Sequence, residues 1–156
     1  MVPASAMRGV RAIAAGDSHS LALTKDGRVL AWGCGGNRDF RQCDVPAAAK
    51  RGVVAIAAGY AQTLALTKDG RVLGWGCGGN YDFRQCDVPA SARGGVIAIA
   101  AGHAHSLALR KDDRVLAWGC GAYENNGQCR VPAAARRGVT SIAAGYAHSL
   151  ALSGRA

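Results

Sequence analysis

Short apolar runs separated by glycine-containing turns fill this chain, and their pattern predicts an all-β protein. In residues 52–59 an apolar run ends at a glycine, as expected for a buried strand. Residues 63–67 alternate large and small side chains and predict a second strand, and residues 72–76 predict a third. The Asp69-Gly70 pair between them is a strong hairpin signal, because such a turn needs a residue with positive φ. We expect a fourth short strand at residues 85–88, ended by Pro89.

The same pattern returns every 43 residues, so the chain is a repeat protein. The Val-Pro pair at residue 2 recurs at residues 45, 88 and 131, and Gly16 recurs at residues 59, 102 and 145. Four antiparallel strands at this period are typical of one β-propeller blade. We therefore predict a single repeat domain, 1–156, with units 2–44, 45–87, 88–130 and a partial unit 131–156. The expected fold is a partial β-propeller, an open arc of about three and a half four-stranded blades.

Composition and targeting signals narrow the class of protein further. The 22 glycines and the many alanines favour tight turns and close backbone packing over a helical core. No apolar run reaches the length of a membrane-spanning helix, and the start of the chain lacks the apolar segment of a secretory signal. We expect a cytoplasmic protein, with the nucleus as the alternative location.

Six cysteines form three pairs with equal spacing: Cys34/Cys43, Cys77/Cys86 and Cys120/Cys129. Without a secretory signal, reduced thiols are the favoured interpretation. A disulfide within each unit is the alternative, because each pair brackets one loop. Zinc binding is disfavoured, since the close spacing of two ligand cysteines is missing and no histidine is near in sequence. We predict no metal site and no cofactor.

Two strings in each unit carry a family resemblance. Ala15 to Leu23 with Lys25 to Gly33, and again Ala101 to Gly119 followed by Gly127-Gln128, resemble the repeat of the regulator of chromosome condensation superfamily. The resemblance implies a propeller that has seven blades when complete. The amino-acid sequence of the repeats is most similar to that of bacterial-type members, including propeller-type β-lactamase inhibitor proteins.

The chain departs from the repeat at several positions. Gln62 stands where the other units have histidine, and Arg41 and Arg84 replace the glycine of Gly-Gln. Asp113 replaces the turn glycine, where we expect modest backbone strain.

Histidines and tryptophans recur at fixed repeat positions, which favours packing roles over chemistry. No serine, cysteine or carboxylate sits at a spacing that marks a nucleophile and its base, so we predict no catalytic residue and no enzyme activity. The residues assigned structural roles are His19, His105, His148, Trp32, Trp75 and Trp118.

Alternating strands would place the loops on two chemically different faces. The Gly-x-x-His turns and the cysteine loops share one face, called here the aromatic face. The Pro-Ala-Ala-Ala loops and the Lys-Asp-Gly-Arg turns share the other, called here the basic face. The predicted partner-binding residues of the aromatic face are Phe40, Tyr60, Tyr81, Phe83, His103, Tyr123 and Tyr146. The fifteen cations of the basic face are Arg8, Arg11, Lys25, Arg28, Lys50, Arg51, Lys68, Arg71, Arg93, Arg110, Lys111, Arg114, Arg136, Arg137 and Arg155.

These faces suggest a non-catalytic module that binds a protein partner through its aromatic face. The basic face is either a solvated rim or a patch for nucleic acid or other anionic surfaces. The resemblance supplies the alternative functions: a chromatin-associated guanine-nucleotide exchange factor for a small GTPase, or a β-lactamase inhibitor. A fragment of a larger seven-bladed protein is a further alternative, and self-association through the open blade ends would cover exposed edges.

Overall fold

Four small antiparallel sheets follow one another along the chain in the computed structural model, which describes residues 2–79, 82–121 and 125–154. The first sheet contains β1 (Val10–Ala15), β2 (Ser20–Thr24) and β3 (Val29–Trp32). The second contains β4 (Val53–Ala58), β5 (Thr63–Thr67) and β6 (Val72–Trp75). The third contains β7 (Val96–Ala101), β8 (Ser106–Arg110) and β9 (Val115–Trp118), and the fourth β10 (Val139–Ala144) and β11 (Ser149–Ser153). This is the predicted all-β open arc of propeller blades.

Each of the first three blades has three paired strands, and the fourth strand expected in each unit is not found among the described residues. In the second unit, residues 85–88 turn instead, because the Asp87 amide donates to the Arg84 carbonyl at 3.1 Å and the Val88 amide to the Cys86 carbonyl at 2.8 Å. The segment still runs beside β6, since a Cβ built on Gly74 would lie 3.0 Å from the Cys86 oxygen. The strand prediction for residues 85–88 was therefore wrong: local turn bonds take the place of a ladder.

The predicted hairpin between the second and third strands of a unit is confirmed. In the second sheet, Thr67 and Arg71 close the turn through an N–H···O bond of 2.9 Å, and Gly70 lies at φ +79°. The third sheet makes the same turn with Asp113 at φ +60°. A single residue with positive φ is enough, because the turn has three residues between the paired strands.

A β-bulge follows the first residue of each leading strand. The bulged residues are Arg11, Val54, Ile97 and Thr140. The guanidinium of Arg11, one of these bulged residues, donates to the Val54 carbonyl at 2.7 Å. This hydrogen bond connects the first sheet to the second. Helices among the described residues are 3₁₀ turns of three or four residues. None of the described helices is long and apolar enough to cross a bilayer.

The hydrophobic core lies between successive sheets and repeats with the sequence. Between the first and second sheets it comprises Leu21, Leu23, Val29, Ala49, Val53, Ala65 and Trp75. Adding 43 to each number gives the core between the second and third sheets: Leu64, Leu66, Val72, Ala92, Val96, Ala108 and Trp118. Leu109, Ala135 and Val139 begin the same set between the third and fourth sheets. One interface is thus built repeatedly along the arc.

The cysteine pairs are bonded in the structure. Cys34–Cys43 and Cys77–Cys86 have Cα atoms 5.9 Å apart, and Cys120–Cys129 has them 6.1 Å apart. The favoured expectation of reduced thiols was therefore wrong and the disulfide alternative holds. The physical reason is that each loop returns its second cysteine to a normal disulfide distance from the first.

Candidate functional site

The two sets of loops lie at opposite ends of the strands, as the antiparallel order requires. At one end, Phe40 of a cysteine loop lies beside Tyr60 of a Gly-x-x-His turn. At the other end, the Arg110 guanidinium donates to the carbonyls of Ser91 and Gly94, so a hairpin turn contacts the loop that follows the Val-Pro pair. The aromatic face and the basic face are separate surfaces.

Rings from the first to the fourth unit form a continuous ladder on the aromatic face. The ring centroids of Phe40 and Tyr60 are 6.2 Å apart, and those of Tyr60 and His103 are 4.5 Å apart. His103 stacks on Tyr146 at 4.1 Å with an interplanar angle of 28°. Phe40 is buried at one end of the ladder, while Tyr146 is 62% exposed at the other. Separations of this size are favourable for ring pairs.

The ladder borders a shallow depression of about 260 Å³, which is lined by the same three repeat positions of every unit. Each unit contributes the alanine and glycine that end its leading strand and then one further residue. These further residues are Asp17, Tyr60, His103 and Tyr146. Because the Ala-Gly pair has almost no side chain, the walls expose backbone and leave the rings as the chief side chains. The depression is suited to a protruding group of a partner.

Phe83 is the one remaining predicted aromatic residue that the structure describes, and it packs apart from the ladder. Phe83 packs between cysteine loops, since a Cβ built on Gly121 would lie 3.1 Å from its Cδ1 atom. Phe40 likewise packs near the next cysteine loop, where a Cβ on Gly78 would lie 3.2 Å from the Phe40 carbonyl oxygen. Tyr81 and Tyr123 lie outside the described residues. The structure thus brings together four of the seven predicted partner-binding residues.

A glutamine in each cysteine loop holds that loop in place, a role that the sequence analysis missed. The Gln42 Oε1 atom accepts from the Phe40 amide at 2.6 Å, and Nε2 donates to the Arg38 carbonyl at 2.6 Å. Its backbone carbonyl accepts from Trp75 Nε1 at 3.0 Å in the next blade. The glutamine that follows the glycine position of the repeat was the signal that could have revealed this.

The residue preceding each glutamine adopts an unusual backbone conformation. Arg41 and Arg84 lie at φ +66° and +64°, in the region that Gly127 occupies in the third unit at φ +85°. The left-handed conformation costs a residue with a side chain roughly 1 kcal/mol or more. The Gln42 side chain bonds across this turn to Phe40 and Arg38 and holds it against that cost.

The repeat histidines connect neighbouring blades. The His19 Nε2 atom lies 2.9 Å from Thr63 Oγ1, and His105 Nε2 lies 3.1 Å from Ser149 Oγ. In the second unit, Gln62 Nε2 donates to the Gly102 and His105 carbonyls at 2.9 and 3.1 Å. His148 directly precedes β11 of the fourth sheet and is exposed.

Burial determines the protonation of these histidines. It lowers the pKa of His19 to about 4, and it also lowers the pKa of His105, where the neighbouring His148 adds to the effect. Both rings are therefore neutral near pH 7. The Nδ1 atoms of His19 and His105 are buried without a hydrogen-bond partner among the described residues, which assigns the ring proton to Nε2.

The hydroxyl–histidine pairs are not arranged as a nucleophile and its base. Ser149 Oγ donates its proton to the Gln128 carbonyl at 2.8 Å, so it accepts from His105 Nε2 instead of donating to it. General-base activation needs the opposite direction. Thr63 is in addition fully buried. These contacts join blades.

Two of the three tryptophans occupy successive blade interfaces. Trp75 and Trp118 are each 9% exposed and donate Nε1–H to the Gln42 and Gln85 carbonyls, both at 3.0 Å. Trp32 is half-buried, because the first sheet has no described sheet in front of it.

The basic face presents its cations to solvent. The predicted residues Lys25, Arg28, Lys50, Arg51, Lys68, Arg71, Lys111, Arg114, Arg136 and Arg137 are all exposed. Arg28 pairs with Asp26 at 3.3 Å and Arg110 with Asp112 at 3.2 Å, and these are the two ion pairs of this face within residues 2–79, 82–121 and 125–154. Arg155 lies outside the described residues. Most of the positive charge is therefore uncompensated by neighbouring carboxylates.

Comparisons with known proteins agree with this architecture. The regulator of chromosome condensation (RCC1) repeat matches residues 10–38, 53–82 and 96–128, which is more than half of the chain. Protein RCC1 of Candida albicans is 52% identical over 33 residues, 21% of this chain and 7% of that protein.

Solved structures show the same fold. Yeast RCC1 (Prp20), in a crystal structure with Kap60, superposes with a TM-score of 0.72 at 28% identity, covering 98% of this chain and 43% of that one. Prp20p of Saccharomyces cerevisiae, whose binding to Gsp1p and histones was studied with its structure, gives a TM-score of 0.66 at 23% identity, covering 92% and 43%. This chain thus spans less than half the length of these relatives. The chain belongs to the regulator of chromosome condensation repeat family.

Proposed function

We propose that this chain is a non-catalytic protein-interaction module whose partner docks on the aromatic face. The observation that carries the proposal is the ladder of Phe40, Tyr60, His103 and Tyr146 beside the shared depression. It is buried at one end and 62% exposed at Tyr146, so a partner can extend the stack without unfolding anything.

The chemistry of the aromatic face suits a protein ligand. Tyrosine and other large rings bury much area at little conformational cost, and they are enriched among residues that dominate protein–protein binding. The face carries four arginines against six acidic residues in the sequence, so it is close to neutral. A protruding apolar, aromatic or arginine side chain of the partner would fill the depression and stack on His103 or Tyr146. The yeast relatives whose structures are known bind proteins, which supports this class of function.

The test uses peptides selected on the purified chain from a random display library. We expect selected peptides to bind the Tyr60→Ala/Tyr146→Ala double variant at least tenfold more weakly, since truncating two rings of the ladder removes a few kcal/mol of contact. Met7→Ala is the matched control, because Met7 is 69% exposed on the basic side of the first unit and should leave binding unchanged. Equal affinity for the wild-type chain and the double variant would refute docking on the ladder.

Nucleic-acid binding is the second candidate, and the exposed cations of the basic face favour it. If about six phosphates are neutralised, affinity for duplex DNA should fall roughly 10³-fold between 50 and 200 mM salt. Fluorescence anisotropy with a labelled duplex would measure this slope. Lys50→Glu/Arg51→Glu should weaken binding, whereas Arg38→Glu on the aromatic face serves as the control. A flat salt dependence would leave the basic face as a solvated rim.

Two alternatives implied by the family resemblance stay predictions. Nucleotide exchange on a small GTPase would be measured as accelerated release of a fluorescent GDP analogue, and β-lactamase inhibition with purified enzymes. The chain covers 43% of the yeast proteins, and the ladder alone does not favour either activity.

A further inference from the structure

The ends of the arc expose the two halves of an interface that the chain also builds internally. Each complete interface has a leading half, in which Leu21 and Leu23 project from β2 of one sheet. Its trailing half, on the next sheet, contains Val53 and Trp75, with Ile56 packed beside them. These halves recur 43 residues later between the second and third sheets.

The fourth sheet carries a leading half that no described sheet covers. Leu150 and Leu152 stand at the repeat positions of Leu21 and Leu23. They are 59% and 65% exposed, whereas Leu21 and Leu23 are both 0% exposed. Two leucines of one strand, separated by Ala151, therefore project into solvent at positions where the repeat buries them.

The first sheet carries the matching trailing half. Ile13 occupies the repeat position of Ile56 and is 79% exposed, and Trp32 occupies the position of Trp75. Trp32 is half-buried, while Trp75 is 9% exposed. The apolar surface at this end has the composition that receives the leucines elsewhere in the chain.

The polar contacts of the interface are also divided between the ends. Inside the chain, His19 bonds Thr63 and His105 bonds Ser149, each across 44 residues. The next histidine in the series, His148, directly precedes β11 of the fourth sheet, and the hydroxyl that begins the series belongs to Ser20, the first residue of β2 in the first sheet. A fourth sheet placed against a first sheet would bring this pair together in the same geometry.

We propose that copies of this 156-residue chain associate head to tail, the fourth sheet of one copy packing against the first sheet of another. A second copy is the occupant that fits, because the shapes of both halves already match in the internal interfaces. Two contacts of this kind close a pair into a ring, whereas a contact that does not close adds copies in a row.

The test blocks each end separately. Ile13→Asp alters the first sheet, called here the head, and Leu150→Asp/Leu152→Asp alters the fourth sheet, called here the tail. All three side chains are exposed, so each variant should keep its fold. Sedimentation velocity should show association of the wild-type chain and monomers for each variant alone. Mixing the two variants should restore one intact head and one intact tail, giving a discrete heterodimer. Ile97→Asp is the control, because Ile97 is 56% exposed on a bulge inside the arc and should associate as the wild type does.

Two results would overturn the proposal. One is a wild-type chain that stays monomeric at concentrations of about 100 μM, where an interface with a dissociation constant in the low micromolar range would be populated. The other is self-association of Ile13→Asp alone, which would indicate a tail-to-tail contact or another surface. Tyr60→Ala/Tyr146→Ala should associate normally, so failure of head-to-tail association and failure of partner docking are distinguished.

Discussion

At the scale of single residues, the repeat position of His19 and Gln62 shows that two different side chains can link neighbouring blades. His19 reaches the next blade through Nε2 to Thr63, whereas Gln62 reaches it through its amide to two backbone carbonyls. Both side chains donate a proton from a buried nitrogen. They differ in that only the histidine can gain a charge at mild acidity.

This difference predicts a pH dependence that glutamine should remove. The pKa of His19 is about 4 when folded and 6.5 when unfolded, so the folded chain binds fewer protons between these values. Stability is full above pH 6.5 and falls as the pH decreases to 4, by about 3 kcal/mol for this residue. His105 shifts in the same direction. Denaturant unfolding at several pH values should show this decline in the wild-type chain.

His19→Gln/His105→Gln is the matched variant, since the second unit shows that glutamine fits the same position. We expect its free energy of unfolding to be nearly constant between pH 6.5 and 4. An equally steep decline in this variant would mean that other groups are responsible.

At the scale of elements, the glycine that ends each leading strand is fixed by close approach of two backbones. Gly59 lies so close to the Gly102 carbonyl and to Gln62 that a Cβ would collide with both. We expect Gly59→Ala to destabilise the chain by about 3 kcal/mol, because the backbone of the third unit would have to move. Gly94→Ala is the control: nothing lies within 4 Å of its Cβ position, so its effect should stay within about 0.5 kcal/mol. Thermal unfolding of both variants measures the difference.

The cysteine loops provide a second prediction at this scale. Each disulfide closes a loop with a sequence separation of 9, and closing so short a loop stabilises by about 2.5 kcal/mol in the chain-entropy model. Reduction should therefore lower the melting temperature and release the loop that carries Phe40. Intact-mass measurement before and after reduction should show the gain of six hydrogens. An unchanged mass would contradict the bonded pairs.

The elements could be predicted where hydrophobic pattern and turn chemistry agree. The strand over residues 63–67 matches β5, and the Asp-Gly hairpin is present. The strand prediction for residues 85–88 was wrong. A short apolar run does not reveal that the hydrogen bonds of a glutamine side chain and a disulfide will bend the segment. The free-thiol expectation failed for a related reason, because it rested on location and not on the geometry of the loop.

At the scale of the whole molecule, the separation of the two faces followed from antiparallel order alone. The sequence placed all non-tryptophan rings on one face, but it could not show that Phe40, Tyr60, His103 and Tyr146 form one ladder. That arrangement depends on the distance between neighbouring blades, which is set by the glycine contacts. Phe83 illustrates the limit, since the same composition leads there to packing between loops.

The repeated interface predicts that a whole unit can be removed. Deleting residues 45–87 would join the first sheet to the third and place His19 opposite Ser106, a hydroxyl at the position of Thr63. We expect a folded chain with the same β-sheet circular dichroism per residue and a lower free energy of unfolding, since one interface is lost. Deleting 21 residues, half a unit, should instead give an unfolded chain. If both deletions unfold alike, the units are not equivalent.

The constant 43-residue spacing of the repeat has a consequence for the gene that encodes the chain. Segments 32–46 and 75–89 differ only at Arg38 and Tyr81, so a recombination between their coding sequences in a register shifted by one unit would join nearly identical protein segments. Such an exchange would lengthen or shorten the chain by one 43-residue unit while keeping the repeat positions of every remaining interface. We therefore expect that the number of blades can change in one genetic step while each remaining blade keeps a neighbour with matching core positions.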